Sequence, residues 1–296
     1  MPKVMANQIE LEYETFGDPG NPALLLIMGL SMQMTAWPDD FCQGLADEGF
    51  YVTRFDNRDI GLSQKLHNQK APSPVTITLR RMLRLRTRVP YTLHDMAKDA
   101  VGLMDALSLP KAHVVGASMG GMIGQNLAAQ YPERVSSLTS IMSSTGSLLW
   151  TRPHPKVLRQ ILLARPKSAS EEDYISYALN LWALLQSPAY PIAEEALKER
   201  ILRSYRRSYY PQGFLRQIAA ITATGNRSKL LKTIKAPTLV IHGTADKMIP
   251  IQGGKDTAKK IPNAKFHPIQ GMGHNLPPGL LPKLTDLIVG HARQAG

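Results

Sequence analysis

The chain has 296 residues, 43% of them hydrophobic, and a formal net charge of +12 at pH 7. Its length allows one large α/β domain with an insertion or two domains, and its apolar content excludes an intrinsically disordered chain. A single cysteine, Cys42, excludes an intrachain disulfide and a cysteine-based zinc site. The first residues contain no apolar stretch of signal-peptide length, and the apolar run at 23–30 is far shorter than the ~20 residues that span a bilayer. We therefore expect a soluble, cytoplasmic protein.

Short apolar runs alternate with longer helical patterns along most of the chain, which is typical of an α/β fold with a mostly parallel central sheet flanked by helices. In chain order, the patterns predict strands at 9–13 (at an edge of the sheet), 24–28, 51–55, 113–115, 138–142, 238–243 and 265–269. They predict helices at 38–49, with Pro38 in the first helical position, and at 91–107, 121–131, 252–261 and from about residue 280.

The strand–helix alternation stops after Gly146. Residues 147–227 contain several helical patterns and no convincing strand, and six prolines punctuate them. A helical segment inserted into an α/β sheet is typical of a lid. We therefore predict an α/β core formed by residues 1–146 and 228–296, and a helical lid formed by residues 147–227.

The stretch HVVGASMGG at 113–121 places Ser118 between two glycines, where a strand pattern changes to a helical pattern. Glycine and serine are also common in surface turns, so this motif by itself leaves two interpretations open. The second interpretation is a nucleophile elbow. In an elbow the strand-to-helix turn is so tight that only small residues fit beside the serine, whose hydroxyl then projects from the sheet.

A serine hydroxyl is a weak nucleophile near neutral pH, so it needs a general base, and that base needs a group that orients it. In folds with such an elbow, the acid and the histidine follow the serine in chain order, on loops at the carboxyl ends of strands. Asp246 follows the strand at 238–243, and His274 follows the strand at 265–269. Either residue alone could be an ordinary loop residue, but their order predicts a Ser118–Asp246–His274 triad.

Hydrolysis through a serine also needs an oxyanion hole, two N–H groups that face the developing negative charge. Losing one such donor typically costs about 10²–10³ in rate. The residue after the nucleophile, Met119, supplies one candidate N–H group, and the loop after the strand at 24–28 supplies the other. That loop begins Met28-Gly29-Leu30, so the backbone N–H of Leu30 is the second candidate.

The segments LLLIMG, WPDDFCQGLADEGFYVTRFDNRDIGLS, HVVGASMGG, PTLVIHGTADKMIP and GMGHNLP occur in an order that resembles the α/β-hydrolase superfamily, over nearly the whole chain outside residues 147–227. Within it, the chain is similar to the aclacinomycin methylesterases and related bacterial carboxylesterases, which share Met-Gly in the first loop, Trp-Pro at the first helix and Gly-Met-Gly-His near the end. The resemblance implies an α/β-hydrolase fold, the same triad, and an oxyanion hole of Leu30 and Met119. Residues 147–227 match least well, so the polyketide substrate of the methylesterases is not transferred.

These residues predict a serine carboxylesterase that needs no cofactor or metal and acts on small to medium hydrophobic esters through an acyl-enzyme intermediate. A serine at the elbow argues against haloalkane dehalogenase and epoxide hydrolase chemistry, which need a carboxylate nucleophile there. Lactone hydrolysis and carbon–carbon bond hydrolysis use the same triad and stay open, because the shape of the pocket under the lid distinguishes them. A ligand receptor on the hydrolase fold is the alternative from another functional class.

The positive charge is concentrated in two segments. Residues 147–235 hold 15 Lys/Arg against 6 Asp/Glu, and residues 80–88 contain five arginines and no acidic residue. We expect both segments above the active site, at the carboxyl edge of the sheet. At helical spacing, Leu79, Met82, Leu83 and Arg86 share one face, and Arg80, Arg81, Arg84 and Arg88 share the other.

The arginine face has two interpretations: a solvated surface, or a surface that attracts anionic esters or contacts an anionic lipid surface peripherally. No nucleic-acid recognition motif accompanies the charge, so we expect a small-molecule ester and no nucleic acid as the partner. The sequence makes no prediction of an oligomeric state.

Overall fold

In the computed structural model, which describes residues 2–83, 85, 87–150, 152–163 and 170–295, eight strands form one sheet. The strands are β1 (Lys3–Ala6), β2 (Ile9–Phe16), β3 (Ala23–Ile27), β4 (Tyr51–Phe55), β5 (Ala112–Ala117), β6 (Val135–Ile141), β7 (Thr238–Gly243) and β8 (Lys265–Ile269). Their order across the sheet is β1-β2-β4-β3-β5-β6-β7-β8. All pairs from β4 to β8 are parallel, and β1 and β2 are antiparallel to their neighbours. The sheet is therefore mostly parallel, as the sequence predicts.

The first edge of the sheet is formed by β1, so the edge position predicted for the strand that begins at Ile9 is wrong. β1 pairs with β2 through Lys3↔Glu12 and Ala6↔Ile9, and β2 pairs on its other side with β4. Among the four residues of β1, only Ala6 is buried. No apolar alternation therefore marks this strand in the sequence.

Helices cover both faces of the sheet. They are α1 (Asp39–Asp47), α2 (Pro74–Met82), α3 (Leu93–Ala106), α4 (Met119–Gln130), α5 (Pro155–Leu163), α6 (Glu171–Leu185), α7 (Glu194–Arg207), α8 (Pro211–Thr224), α9 (Ser228–Leu231), α10 (Ile251–Lys260) and α11 (Leu281–Arg293). Pro38 precedes the first turn of α1 rather than forming it, because its ψ of 152° is extended. The predicted position of Pro38 is thus wrong by one residue. No helix in the described ranges is long and apolar enough to cross a membrane.

Two apolar layers sandwich the sheet, and β3 shows why. All five residues of β3 are buried, because alternate side chains on a strand face opposite helical layers. Leu25 and Ile27 share a core with α3 and α4, whereas Leu24 and Leu26 share a core with α1 and α11. The layers fix the position of each strand's carboxyl end, where the loops carrying the candidate site residues begin.

The four helices α5 to α8 lie in the chain between β6 and β7, and we call them the helical insert. As predicted, the described part of residues 147–227 contains helices and no strand. Ala178, Leu197 and Ile201 form a small apolar cluster within the insert, and α8 also packs against α2 and α3. The division of the chain into a core and a lid remains a prediction.

Candidate active site

Ser118 lies in a strained turn between β5 and α4. Its φ of 55° and ψ of −116° are outside the regions that side-chain-bearing residues normally adopt. Glycines make the turn sterically feasible: a Cβ atom on Gly116 would overlap the carbonyl of Gly120, and a Cβ atom on Gly120 would overlap the carbonyl oxygen of Ile27. The small residues around Ser118 are therefore required by backbone packing, which distinguishes this turn from an ordinary surface turn.

The structure brings Ser118, His274 and Asp246 together. His274 follows β8 and Asp246 follows β7, at the same edge of the sheet as Ser118. The Nε2 atom of His274 lies 3.0 Å from Ser118 Oγ, and its Nδ1 atom lies 2.7 Å from Asp246 Oδ2. Because a carboxylate only accepts hydrogen bonds, His274 donates through Nδ1–H, and its Nε2 atom accepts from the Ser118 hydroxyl.

Asp246 is held as a carboxylate. Its side chain is fully buried, and its Oδ1 atom accepts hydrogen bonds from the backbone N–H groups of Met248 and Ile249, at 2.8 and 2.9 Å. Burial alone would raise the pKa of Asp246, but the charge and hydrogen bonds of His274 and His242 outweigh burial and lower that pKa to about 2. Asp246 is therefore ionised at any pH near neutrality and orients His274 permanently.

Two other histidines lie near these strands without facing Ser118. His242 is fully buried beside Asp246, 3.5 Å from its Oδ2 atom, and its Nε2 atom lies 2.8 Å from the carbonyl oxygen of Ile249. His113 lies within β5 and contacts Ser137 Oγ at 2.9 Å. Both side chains are engaged within the fold, which leaves His274 as the histidine in contact with Ser118 Oγ.

The loop that carries His274 is held by residues at the end of α6. The backbone N–H of His274 donates to the carbonyl of Leu185 at 2.8 Å, and the N–H of Gly273 donates to Ser187 Oγ at 2.8 Å. The Ser187 hydroxyl in turn donates to Asn275 at 2.6 Å. Sequence reasoning missed Leu185 and Ser187, because neither belongs to a motif. The helical insert thus positions the histidine loop.

The two candidate oxyanion donors belong to segments that contact Ser118. Met119 is the first residue of α4, directly after Ser118. The loop that carries Leu30 passes beside the serine, since a Cβ atom on Gly29 would lie 3.1 Å from Ser118 Cβ. In the described ranges, the N–H groups of Leu30 and Met119 have no protein acceptor. Both donors are therefore available to an external oxygen.

Side chains on both sides brace the loop after β3. The carbonyl of Met28 accepts from Asn57 Nδ2 at 2.9 Å, and the N–H of Ser31 donates to Gln217 Oε1 at 2.9 Å. Gln217 is a fully buried residue of α8, and its Nε2 atom donates to the carbonyl of Arg58 at 3.1 Å. Sequence reasoning missed this role. The one local signal is the position of Gln217 on the helical face that includes Gly213 and Ala220.

Buried ion pairs tie the helical insert to the loop after β4. Arg216 of α8 donates to both carboxylate oxygens of Asp59 at 2.8 Å. Arg207 of α7 donates to Asp56 at 2.7 Å, and all four side chains are largely or fully buried. Breaking a buried pair by removing one partner typically costs about 3–5 kcal/mol. These pairs therefore join α7 and α8 to the loop after β4.

Within the described residues, no cluster of three or more His, Cys, Asp or Glu side chains is placed to hold a metal ion. The arrangement at Ser118 consists of a serine hydroxyl, an imidazole in contact with it, a buried carboxylate and two candidate N–H donors. Chemically, this set can activate a hydroxyl for attack on a carbonyl carbon and stabilise the resulting oxyanion.

Comparisons with known proteins identify relatives that match nearly the whole chain. The chain is 26% identical to rhodomycin D methylesterase DauP of Streptomyces sp. (strain C5), over 99% of this chain and 98% of that protein. It is 28% identical to a 2-hydroxy-6-oxononadienedioate/2-hydroxy-6-oxononatrienedioate hydrolase of Burkholderia vietnamiensis, over 90% and 85% of the two chains.

Among solved structures, the meta-cleavage product hydrolase of Pseudomonas fluorescens IP01 superposes with a TM-score of 0.78 at 19% identity, over 100% of this chain and 98% of that one. The enol-lactonase of Burkholderia xenovorans LB400 superposes with a TM-score of 0.74 at 21% identity, over 99% and 100%. These likenesses concern the fold. The alpha/beta hydrolase fold family matches residues 22–277, and the chain belongs to that family.

Proposed function

We propose that the protein is a carboxylic ester hydrolase that works through a Ser118–His274–Asp246 triad and an acyl-enzyme intermediate. One observation carries this proposal: His274 Nε2 lies 3.0 Å from the hydroxyl of a strained serine while its Nδ1 atom lies 2.7 Å from a buried carboxylate. The full-length similarity to a protein named as a methylesterase supports the choice of an ester as the substrate.

The first half of the reaction forms the acyl-enzyme. Ser118 Oγ attacks the ester carbonyl carbon while His274 Nε2 takes the hydroxyl proton. The Asp246 carboxylate stabilises the imidazolium that results, and it does not itself become protonated. The protonated His274 then donates its proton to the leaving alcohol as the carbon–oxygen bond breaks. Water repeats the sequence on the acyl-enzyme and releases the carboxylic acid.

The oxyanion of each tetrahedral intermediate accepts hydrogen bonds from the N–H groups of Leu30 and Met119. Met119 is positioned by α4, whose first turn it forms. The position of the Leu30 N–H group depends on its loop. Asn57 bonds to this loop at Met28, and Gln217 bonds to it at Ser31. In this proposal, Gln217 is a positioning residue: it touches no substrate, but it keeps the Leu30 N–H group aimed at the place where charge develops.

Two alternatives use the same residues. Relatives and structural neighbours include a hydrolase named for 2-hydroxy-6-oxo acids and an enol-lactonase, which keeps carbon–carbon bond hydrolysis and lactone hydrolysis as candidates. The ester remains the first choice because the methylesterase similarity extends over 99% of this chain. Small to medium hydrophobic esters are the substrate class that we propose.

The test is hydrolysis of p-nitrophenyl esters from acetate to palmitate by the wild type and by Ser118→Ala. Removing a triad nucleophile should lower kcat by about 10⁴–10⁶ and leave folding intact. Ser176→Ala, on an exposed position of α6, is the matched control and should keep full activity.

A 2-hydroxy-6-oxo acid and an aliphatic lactone are assayed beside the esters. Faster Ser118-dependent turnover of either compound would replace the esterase proposal by the corresponding alternative. A folded wild type that hydrolyses none of these substrates would contradict enzymatic activity of this kind and would favour a ligand receptor.

A further inference from the structure

The outer face of α2 is apolar and has no covering element in the described part of the chain. Val75, Leu79 and Met82 recur at helical spacing on one face of α2, and Leu83 and Leu85 follow the end of the helix; all five are more than half exposed. On the opposite face, Ile77 is buried and the helix packs against α8. In the described part of the chain, the fold therefore covers Ile77 and leaves the face of Val75, Leu79 and Met82 exposed.

The charge around this face has a single sign. Residues 60–94 contain five arginines and two lysines and no acidic residue. Arg80 and Arg88 are exposed, and Leu85 lies between them in the chain. Arg84 and Arg86, which the sequence predicted to share this segment, lie outside the described residues. We call the exposed set of Val75, Leu79, Arg80, Met82, Leu83, Leu85 and Arg88 the α2 surface.

We propose that the α2 surface binds an anionic phospholipid bilayer. Exposed apolar side chains at helical spacing enter the boundary between headgroups and acyl chains, and arginines beside them pair with lipid phosphates. A negatively charged leaflet attracts each nearby basic residue, which increases binding by about fivefold per residue. A second copy of this chain is the less suitable occupant, because a symmetric contact would bring two acid-free arginine segments together.

The position of α2 connects this surface to the candidate active site. α2 packs against α8, and α8 carries Gln217, whose Oε1 atom accepts from Ser31 in the loop beside Ser118. Docking through α2 would place the carboxyl edge of the sheet close to the lipid. The substrates would then be esters that partition into membranes, a consequence that rests on the proposed esterase function.

The experiment is co-sedimentation of the full chain with vesicles of phosphatidylcholine alone, or of phosphatidylcholine and phosphatidylglycerol in equal parts. We expect binding to the anionic vesicles only, and loss of binding at high salt, where charges are screened. The double variant Leu79→Ser/Met82→Ser and the double variant Arg80→Gln/Arg88→Gln should each bind about tenfold more weakly or worse. All of these positions are exposed, and circular dichroism of each variant verifies that the fold is retained.

Two matched controls separate this surface from general effects. Met5→Ser changes an equally exposed apolar residue on β1, and Lys229→Gln/Lys232→Gln removes two exposed charges elsewhere. Both controls should bind like the wild type. The proposal would be overturned if the α2 variants bound anionic vesicles as well as the wild type does. It would also be overturned if the lysine control lost as much binding as the α2 variants.

Two further measurements complete the test. Absence of binding to anionic vesicles would also overturn the proposal, as would a dimer, detected by analytical ultracentrifugation, that Leu79→Ser/Met82→Ser dissociates. Hydrolysis of p-nitrophenyl butyrate in vesicle-free solution should be unchanged in both α2 variants. Vesicle binding is measured without turnover, so its failure and a failure of the proposed esterase function are distinguishable.

Discussion

The turn at Ser118 and the helical insert differ in how far side-chain bonds contribute to holding them in place. At the turn, glycines let backbone pack directly against backbone, with no space for a Cβ atom on Gly116 or Gly120. The insert contacts the site region through side-chain bonds, such as those of Arg216 and Gln217, as well as through backbone contacts, such as the one between His274 and Leu185. We therefore expect side chains at Gly116 or Gly120 to be more damaging than substitutions at exposed positions of the insert.

The residues proposed to take part in the reaction and the residues that position them lie in different parts of the molecule. The groups that would react with substrate lie at strand ends, where parallel strands place them together. The insert contacts two loops of the proposed site: Leu185 bonds to the His274 loop, and Gln217 bonds to the loop of Leu30. We expect substitutions at the sheet edge to abolish turnover, and substitutions at the supports to weaken it by degrees.

After Ser118→Ala, we expect Asp246→Asn to cause the largest loss of turnover. An amide at this position cannot fix the His274 tautomer or stabilise an imidazolium, so kcat should fall by about 10⁴ with little change in KM. Asp286→Asn, an exposed change of the same type on α11, should leave kcat unchanged. A loss below tenfold would contradict a triad role for Asp246.

The same variant also tests the lowered pKa. Folding lowers the pKa of Asp246 from 3.8 to about 2, so its ionised form stabilises the folded protein above pH 3.8, and this stabilisation is lost as the pH falls through about 2. The shift corresponds to about 2 kcal/mol. Acid unfolding followed by circular dichroism should show this component in the wild type and in Asp286→Asn, but not in Asp246→Asn.

Gly120→Ala tests backbone packing at the turn and should have the next largest effect. The added methyl group would overlap the carbonyl oxygen of Ile27, so the free energy of unfolding should fall by about 2–4 kcal/mol, with a loss of activity as Ser118 shifts. Gly44→Ala is the matched control, since nothing lies within 4 Å of its new methyl group in α1. Urea unfolding should show Gly44→Ala unchanged or more stable by about 0.5–1 kcal/mol. Equal stability of the two variants would refute the packing argument.

Gln217→Leu tests a support in the insert and should have the smallest effect of the three. Leu fills a similar volume but removes the acceptor of the Ser31 N–H group, so the loop of Leu30 should loosen. We expect kcat to fall by about 10–100-fold, less than or equal to the loss of one oxyanion donor, with KM nearly constant. Gln212→Leu, on an exposed position of the same helix, should behave like the wild type.

Whether Gln217→Leu changes kcat or KM decides how the result is interpreted. A raised KM with constant kcat would place Gln217 in substrate binding rather than in positioning of the oxyanion loop. Unchanged constants would show that Asn57 and the packing of Leu30 hold the loop without help from α8.

The parallel sheet and the three residues at its edge follow from the sequence because their signals are local. Leu24–Met28 and similar apolar runs identify strands that are buried on both faces, and Ser118 and Asp246 each follow such a run. His274 follows β8, in which only Ile269 is buried. Parallel strands then bring these loops to one edge without further information. β1 escaped prediction because only Ala6 of its four residues is buried, and a strand without an apolar face has no periodic signal.

The residues that hold the loops of the proposed site could be identified only from the tertiary structure. Ser31 and Gln217 are 186 positions apart in the chain, and Leu185 meets His274 across the boundary between the insert and the sheet. Nothing local marks a glutamine or a backbone carbonyl as a partner of a remote loop, because the choice depends on how two elements pack. The sequence by itself determined which side chains could do the chemistry. The packing of the insert on the sheet edge decided how firmly those groups are held.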